Sequence, residues 1–461
     1  MSGCSSPARF KPFLAMKAAR ANGSGQRDPE RTEMYKPVDR LRVHLRFGPT
    51  EILVGVLASR NGRIFFQYAP EFLAQKMNLS PVRLNLADHV QSSFPDFFLG
   101  LPGLFHDSLP DGWGLLLMDR HFARAGIPVE AVGPLDRLSY LGDRGMGALV
   151  YRPAQKVDQS GRGEVDLVAL AKEALRVFEG EPGNILPDLF LLGGSPGGAR
   201  PKVLVAYDKR SNLMVSGVDA IPPGYRQYII KFPAKSDPPY PGEIEYAYSR
   251  MARAAGLRLP DTVLFPGVGD QKSFGIERFD RDGNDRLHVH TLGGLIHSSH
   301  RLPGCTYEMA LKVAQAVTRN REDVLALFRQ MVFNVVTHNR DDHVRNFSFL
   351  LGPDARWHFS PSYDLTYSAG PGGEHSMTIS GEGKNPTFEH IRRVGEEFQI
   401  RESEVIEITG KVMEAVGYWH EFAREAGVPK QVADRIKASF IPIEAPSNSM
   451  KSGTRKKPFR R

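Results

Sequence analysis

The 461-residue chain predicts an α+β protein of two lobes, with an added β-rich part in front and a mainly helical lobe at the end. Three observations carry this. Short alternating runs with turn dipeptides fill residues 40–70. A glycine-rich stretch leads into strand-like runs between 194 and 280. From Thr306 onward, helical periodicity surrounds one polar loop and one hairpin. The composition, 41% hydrophobic and 24% charged, is that of a folded chain. No apolar run reaches the about eighteen residues that a membrane span needs.

Residues 1–35 read as a disordered tail. Their apolar patch, Phe13-Leu14-Ala15-Met16, is too short for a secretory signal, and Asp28, Glu30 and Glu33 speak against a transit peptide. Val43 to Phe47 alternates as a strand, EILVGVLAS follows, and Asn61-Gly62 turns the chain into RIFFQY. Pro110-Asp111 opens a helix whose apolar face is Leu115, Leu116, Met118 and Phe122. These elements make an N-terminal subdomain over 36–155.

Residues 156–280 form the next lobe. Asp166 caps a helix that ends near Gly180. The glycine-rich loop, the strands VLVAYD and QYIIKFP, and a helix from Glu243 to Gly256 follow, the helix carrying Tyr246, Met251 and Ala254 among its apolar positions. TVLFPGVG and KSFGIERFD close the lobe as strands. Residues 281–445 hold the helix TYEMALKVAQAVT, a second helix opened by Asn320 with Asp323, the loop NRDDHVRN and the hairpin FSFLL to RWHFSP. A helix over 402–416 and further helices across 416–440 complete it. Residues 446–461 read as a basic disordered tail; six of the eight net positive charges sit in KSGTRKKPFRR. Two readings fit that tail, a solubilising extension or a contact with nucleic acid or another acidic surface. The two cysteines, Cys4 and Cys305, cannot build a disulfide framework or a zinc site, which fits a reducing, cytoplasmic setting.

The chemistry concentrates in two places. Asp341 and Asn346 stand five residues apart in a polar loop between a helix and a hairpin, and Asp364 lies 18 residues beyond Asn346. Phosphoryl transfer needs one carboxylate to orient an acceptor hydroxyl and take its proton. It also needs an amide oxygen and a second carboxylate to hold Mg²⁺ against the phosphates of ATP. Asp and Asn are common loop residues, but the preceding helix, the hairpin and Asp364 together match a protein-kinase-like two-lobed fold. Upstream, Gly193, Gly194, Gly197 and Gly198 bracket Ser195 just before a strand, where backbone N–H groups can form an anion nest. Lys202 follows Pro201 and opens a strand, not a helix, so a P-loop does not fit. Lys231 ends the apolar run QYIIK and reads as a phosphate-clasping lysine or a snorkelling strand-end one; Glu245 is a candidate partner for it or a solvent-facing helix residue. ERFDR at 277–281 would join the lobes, where backbone groups can hold adenine. His343 either orients Asp341 or hydrogen-bonds the loop.

These residues resemble the HipA-type serine/threonine kinases, the toxins of bacterial type II toxin–antitoxin pairs, over about residues 40–440. The resemblance rests on LFHDSLPDGWGLLLMDR, SPGGARPK, IIKFP, GIERFDR, THNRDDHVRNFSFLL and SPSYDL. It implies Asp341 as catalytic base, Asn346 and Asp364 as Mg²⁺ ligands, and Lys231 as the ATP lysine. Gly194, Ser195, Gly197 and Gly198 would then line the nucleotide, Glu277 and Phe279 would hold adenine through their backbone, and Ser195 would be autophosphorylated in trans. An aminoacyl-tRNA synthetase as protein substrate and a helix-turn-helix antitoxin as partner are implied too, with DNA contact indirect or through the basic tail. Two departures stand out. LHVHTLGGLIHSSHRLPG lacks the family's histidine–acidic pair, and Asp342 follows Asp341 where Gly is common. They leave open a nucleotide-binding regulator with little chemistry, or a small-molecule kinase.

Overall fold

A computed structural model of the chain describes residues 35–155, 164–181, 185, 187–193, 197–218, 220–302 and 304–443. The two expected tails, apart from Tyr35, and the loop positions Gly194 and Ser195 lie outside these residues. The chain divides into Met1–Lys36 and Pro37–Arg461, and every element below belongs to the second unit.

Strands β1 (Arg40–Phe47), β2 (Thr50–Arg60) and β3 (Arg63–Tyr68) form an antiparallel meander. Leu41, Val43 and Leu45 alternate inward and are fully buried, as the period-2 pattern requires. Asn61 and Gly62 both take positive φ, so the turn matches the strand twist. Short helices α1 (Pro70–Leu73) and α2 (Gly103–His106) follow, then α3 (Gly112–Arg124) and α4 (Pro134–Leu141). Strand β4 (Leu149–Arg152) closes the sheet in the order β3-β2-β1-β4. The buried stripe of α3 is Trp113, Leu117, Met118 and Phe122. Leu115 and Leu116, expected inside, are only partly buried, because Trp113 at the first turn sets the core-facing stripe at its own helical spacing.

Helix α5 (Leu167–Phe178) starts at Asp166, whose carboxylate accepts from the Ala169 N–H at 2.9 Å. Helix α6 (Pro187–Gly193) was not anticipated: the glycine-rich stretch begins as a helix whose Leu189 to Leu192 are all buried. A five-stranded antiparallel sheet follows, from β5 (Lys202–Asp208), β6 (Leu213–Ser216), β7 (Arg226–Lys231), β8 (Thr262–Pro266) and β9 (Lys272–Glu277) in the order β6-β5-β7-β9-β8. Helix α7 (Pro241–Ala254) crosses over before β8. It starts two residues ahead of the expected Glu243, because Pro241 suits a first turn that has no use for its missing N–H. Its core face is Ile244, Ala247, Tyr248, Met251 and Ala252, while Ala254, expected inside, is exposed.

A two-strand ribbon, β10 (Arg281–Asp282) and β11 (Asp285–Arg286), leads to β12 (His288–Thr291) and α8 (Leu292–Ile296). Helices α9 (Tyr307–Thr318) and α10 (Arg321–Val336) start at Thr306 and Asn320, both capping with their side chains. Strands β13 (Ser348–Leu351) and β14 (Trp357–Phe359) make the expected hairpin, and β12 adds a third strand to it. Helices α11 (Phe388–Glu397), α12 (Glu402–Gly417), α13 (Trp419–Ala426) and α14 (Lys430–Ser439) end the fold. One core runs from β1 to α14, and a second fills the space between α3, α5, α6 and the five-stranded sheet. No helix among the described residues is long and apolar enough to cross a membrane.

Candidate active site

The loop after α10 is fixed from beneath by Asp342. Its carboxylate is fully buried and accepts from the Tyr307 hydroxyl at 2.7 Å, His375 Nδ1 at 2.7 Å and the Ser376 N–H at 2.8 Å. Asn334 on α10 donates to the Tyr307 oxygen at 3.0 Å, and Asn339 donates to Asn334 at 3.0 Å. Helices α9 and α10 and the segment around His375 therefore all hold one residue. Its neighbour Asp341 points the other way, with its side chain 55% exposed. Burial pushes the Asp341 carboxyl above its usual range; His343 pulls against this, and nearby Asp364 and Asp342 add to it. His343 Nε2 lies 3.8 Å from Asp341, beyond hydrogen-bond reach, while its Nδ1 accepts the Arg345 N–H at 3.2 Å within the loop. The Asn346 side-chain N–H donates to the Asp341 carbonyl at 2.6 Å. That leaves the amide oxygen as a hard donor.

Asp364 follows the hairpin in a left-handed conformation, φ +53°, that few non-glycine residues adopt. Its carboxylate meets Lys231 Nζ, which also binds Glu245 of α7 at 2.5 Å. Lys231 thus ties the sheet and α7 to the helical lobe. Burial opposes its charge, but Asp364 and Glu245 outweigh it and hold the ammonium above its usual range. Asp364 is drawn down to about 2: burial works the other way, and Lys231 and Lys202 prevail. Glu245 is 3% exposed, not solvent-facing.

Lys202 joins the site although its place in the sequence, at the start of a strand after Pro201, does not mark it. It pairs directly across β5 and β7 with Lys231, it is buried, and its ammonium donates to the Gly197 carbonyl. Among the described residues it has no carboxylate within ion-pair reach. Burial, then the nearby Lys231, pushes its pKa down to about 8. Two lysines side by side under a glycine-rich loop make a ready anion site. A signal was present: opposed strands place Lys202 and Lys231 as cross-strand neighbours once the register is known.

The glycine-rich loop is gripped from outside its own lobe. Asp111 starts α3 but makes no cap bond there. Instead it accepts the Gly198 N–H and binds Arg345 at 2.8 Å. The Trp113 N–H donates to the Gly198 carbonyl at 3.2 Å. Gly112 has φ +45°, and a Cβ there would stand 2.6 Å from Ala199 Cα, so this contact requires glycine. The expected positions Gly197 and Gly198 therefore sit between Asp111, Arg345 and Lys202.

At the lobe junction the Glu277 N–H donates to the Asp261 carbonyl at 2.9 Å, and the Phe279 ring lies 5.4 Å from Tyr363, the residue before Asp364. Tyr363 in turn donates to the Arg345 carbonyl at 2.7 Å. The junction is thus packed on the same loop that carries Asp341. After the junction, His290 Nδ1 meets Asp107 at 2.6 Å, and Asp107 also accepts from the Thr291 N–H and hydroxyl. Among the described residues no group of three or more His, Cys, Asp or Glu side chains could hold a metal unaided. A Mg²⁺ here would draw its remaining ligands from the phosphates it accompanies and from water.

Residues 49–152 match the family model for the HipA N-terminal domain, and residues 194–419 match that for the HipA-like C-terminal domain. A curated relative from Haemophilus influenzae is 29% identical over 152 residues, covering 30% of this chain and 44% of the relative. One from Sinorhizobium fredii is 28% identical over 271 residues, covering 53% of this chain and 55% of the relative. Both carry names beginning "Putative kinase", and the chain spans about half of their length. Among solved structures, the Shewanella oneidensis HipA toxin–antitoxin complex with HipB and operator DNA superposes with a TM-score of 0.62 at 17% identity. The match covers 86% of this chain and 94% of that one, and at this identity it shows a shared fold.

Proposed function

This chain belongs to the HipA-like family, and from that premise we propose that it is a Mg²⁺- and ATP-dependent serine/threonine protein kinase. The observation that carries the reading is the buried Lys231, tied to Glu245 on one side and to Asp364 on the other, beside the Asp341–Asn346 loop. The residues fit the group they would hold. Lys202, a buried cation without a carboxylate partner among the described residues, and Lys231 suit phosphates, and the Asn346 oxygen and the Asp364 carboxylate are the hard donors Mg²⁺ takes. Bound Mg²⁺-ATP supplies the γ-phosphoryl group and neutralises charge as it moves.

The rest falls to the chain. Asp341, exposed at the loop surface and raised in pKa, accepts the proton of a serine or threonine hydroxyl and aims its oxygen. His343 steadies that carboxylate. Asp364 and the Asn346 oxygen would hold the metal, and Lys231, with Glu245 as its counter-ion, would face the phosphate oxygens. Asp342 and its three donors keep the loop from shifting, which matters because misplacement by about 1 Å costs on the order of 100-fold in rate. Glu277 and Phe279 border the adenine position.

By the resemblance, the acceptor to test first is an aminoacyl-tRNA synthetase, and the partner is a small helix-turn-helix antitoxin in a cytoplasmic setting. The solved relative's complex with HipB and operator DNA supports a partner of that kind. Ser195 is the proposed autophosphorylation site: roughly two negative charges in a loop built to cradle phosphates would eject it and silence the enzyme. Phosphoproteomics after induced expression, wild type against Asp341→Ala, tests the reading. It expects serine or threonine sites that vanish with Asp341. An identical set of sites in both strains defeats it.

A further inference from the structure

We propose that a second, arginine-walled cavity binds a small phosphate-bearing anion, at a site separate from Lys231 and Asp341. The cavity has a volume of about 570 Å³ and lies between the β1–β2 turn, the loop after α4 and the β10–β11 ribbon. None of Lys231, Asp341, Asn346 and Asp364 lines it. The inference stands independently of the kinase reading.

Five guanidinium groups face this space, and they differ in what holds them. Arg278 and Arg281 are fixed by the fully buried Asp280, at 2.8 Å and 2.6 Å, and Arg281 also donates to the Gly145 and Gly147 carbonyls at 3.0 Å. They form a rigid wall. Arg46 makes only long contacts, 3.4 Å each, to Glu51 and Asp143. Arg144 donates to backbone carbonyls and lies over the Tyr140 ring, and Arg286 donates to the Asp143 carbonyl at 2.8 Å. Among the described residues, neither Arg144 nor Arg286 has a carboxylate within 4.0 Å, the limit of an ion pair.

The charge balance is uneven. With Arg152, which shares Glu51, six cations meet four carboxylates, Glu51 and Asp143 on the wall, Asp280 beneath it and Asp285 against Gly48, which leaves two positive charges uncompensated. Arg286 registers that excess: burial first, then Arg46 and Arg278, pull its pKa down to about 10. Guanidinium groups are planar forks that suit phosphate oxygens in pairs. The volume falls in the range of about 300–1,000 Å³ typical of small-molecule sites, more than a bare phosphate needs. A phosphorylated small molecule of charge −2 or more would restore neutrality and fill the space. Arg278 sits between Glu277 and Phe279, so such a ligand would rest against the lobe junction.

The test is titration calorimetry of the full chain with sodium pyrophosphate, with malonate as a dicarboxylate of similar charge. The expected result, measured in Lys231→Met so that the active-site lysines contribute little, is saturable pyrophosphate binding that weakens at least tenfold when Arg286→Gln or Arg46→Gln is added. Gln keeps a donor for the Asp143 carbonyl, so the fold has no reason to change. Undiminished affinity in both pocket variants overturns the proposal, as does loss of binding in Lys231→Met alone, which would place the anion at the other site. Absence of pyrophosphate binding, or malonate binding as tightly, overturns it too.

Discussion

Adjacent aspartates with opposite duties offer a sharp prediction. Asp342→Ala removes the acceptor from three buried donors, the Tyr307 hydroxyl, His375 Nδ1 and the Ser376 N–H, all within 2.8 Å. A buried donor left without a partner costs about 1–3 kcal/mol, so three bound the loss at about 9 kcal/mol. Relief from burying a carboxylate offsets part of that, and the net expectation is about 3–5 kcal/mol. Asp341→Ala removes a half-exposed carboxylate whose nearest basic side chain, the His343 ring, is 3.8 Å away, and whose pKa burial pushes up. The sign follows from linkage: a carboxyl with a raised folded pKa destabilises the fold once ionised, so its contribution is best at low pH and falls as pH rises through its folded value. Asp341→Ala is therefore neutral to slightly stabilising at pH 7. Urea unfolding followed by tryptophan fluorescence reads both variants. If Asp342→Ala does not accumulate as folded protein, Asp342→Asn keeps one acceptor oxygen and should lose about 1–3 kcal/mol. Greater damage from Asp341→Ala, or unfolding of Asp342→Asn together with the wild type, would contradict this division between the two aspartates.

Three further outcomes follow from the site. Lys202, at about 8, should make nucleotide affinity fall as pH rises through 8, and Lys202→Met should flatten that profile; a profile unchanged by the substitution contradicts its role. Asp111→Ala removes a charge-assisted acceptor of about 1.5–3 kcal/mol from the Gly198 N–H, so hydrogen exchange at Gly198 should quicken roughly 10- to 100-fold, and unchanged exchange rules out the clamp. Asp364 at about 2 contributes stability above its ordinary carboxyl range and loses it as pH falls toward 2. Asp364→Asn should therefore show a shallower acid transition between pH about 4 and 2 than wild type does.

Much of the fold was legible because its signals are local. Alternation in β1, the Asn61-Gly62 turn and the side-chain caps at Asp166, Thr306 and Asn320 each act within a few residues. What escaped depends on tertiary partners. Helix α6 hides in a run that ends in glycine, and its leucines declare a helix only when α3 and α5 cover them. Asp111 looks like a cap by position yet serves the glycine-rich loop, because Gly198 and Arg345 arrive from 87 and 234 residues away. The stretch after the lobe junction has no acidic residue of its own beside its histidines, and His290 instead meets Asp107, 183 residues away in the chain. Lys202 needed the β5–β7 register before its neighbour could be named.

The most direct measurement is phosphoryl transfer by the purified chain from γ-labelled ATP with Mg²⁺, in a lysate, beside a binding titration of the same nucleotide. The account predicts labelled protein acceptors with wild type, none with Asp341→Ala, and ATP affinity within a factor of about two between them, since Asp341 acts on the acceptor and not on the nucleotide. Equal labelling by the variant, or ATP binding by the wild type with no acceptor labelled, would contradict it.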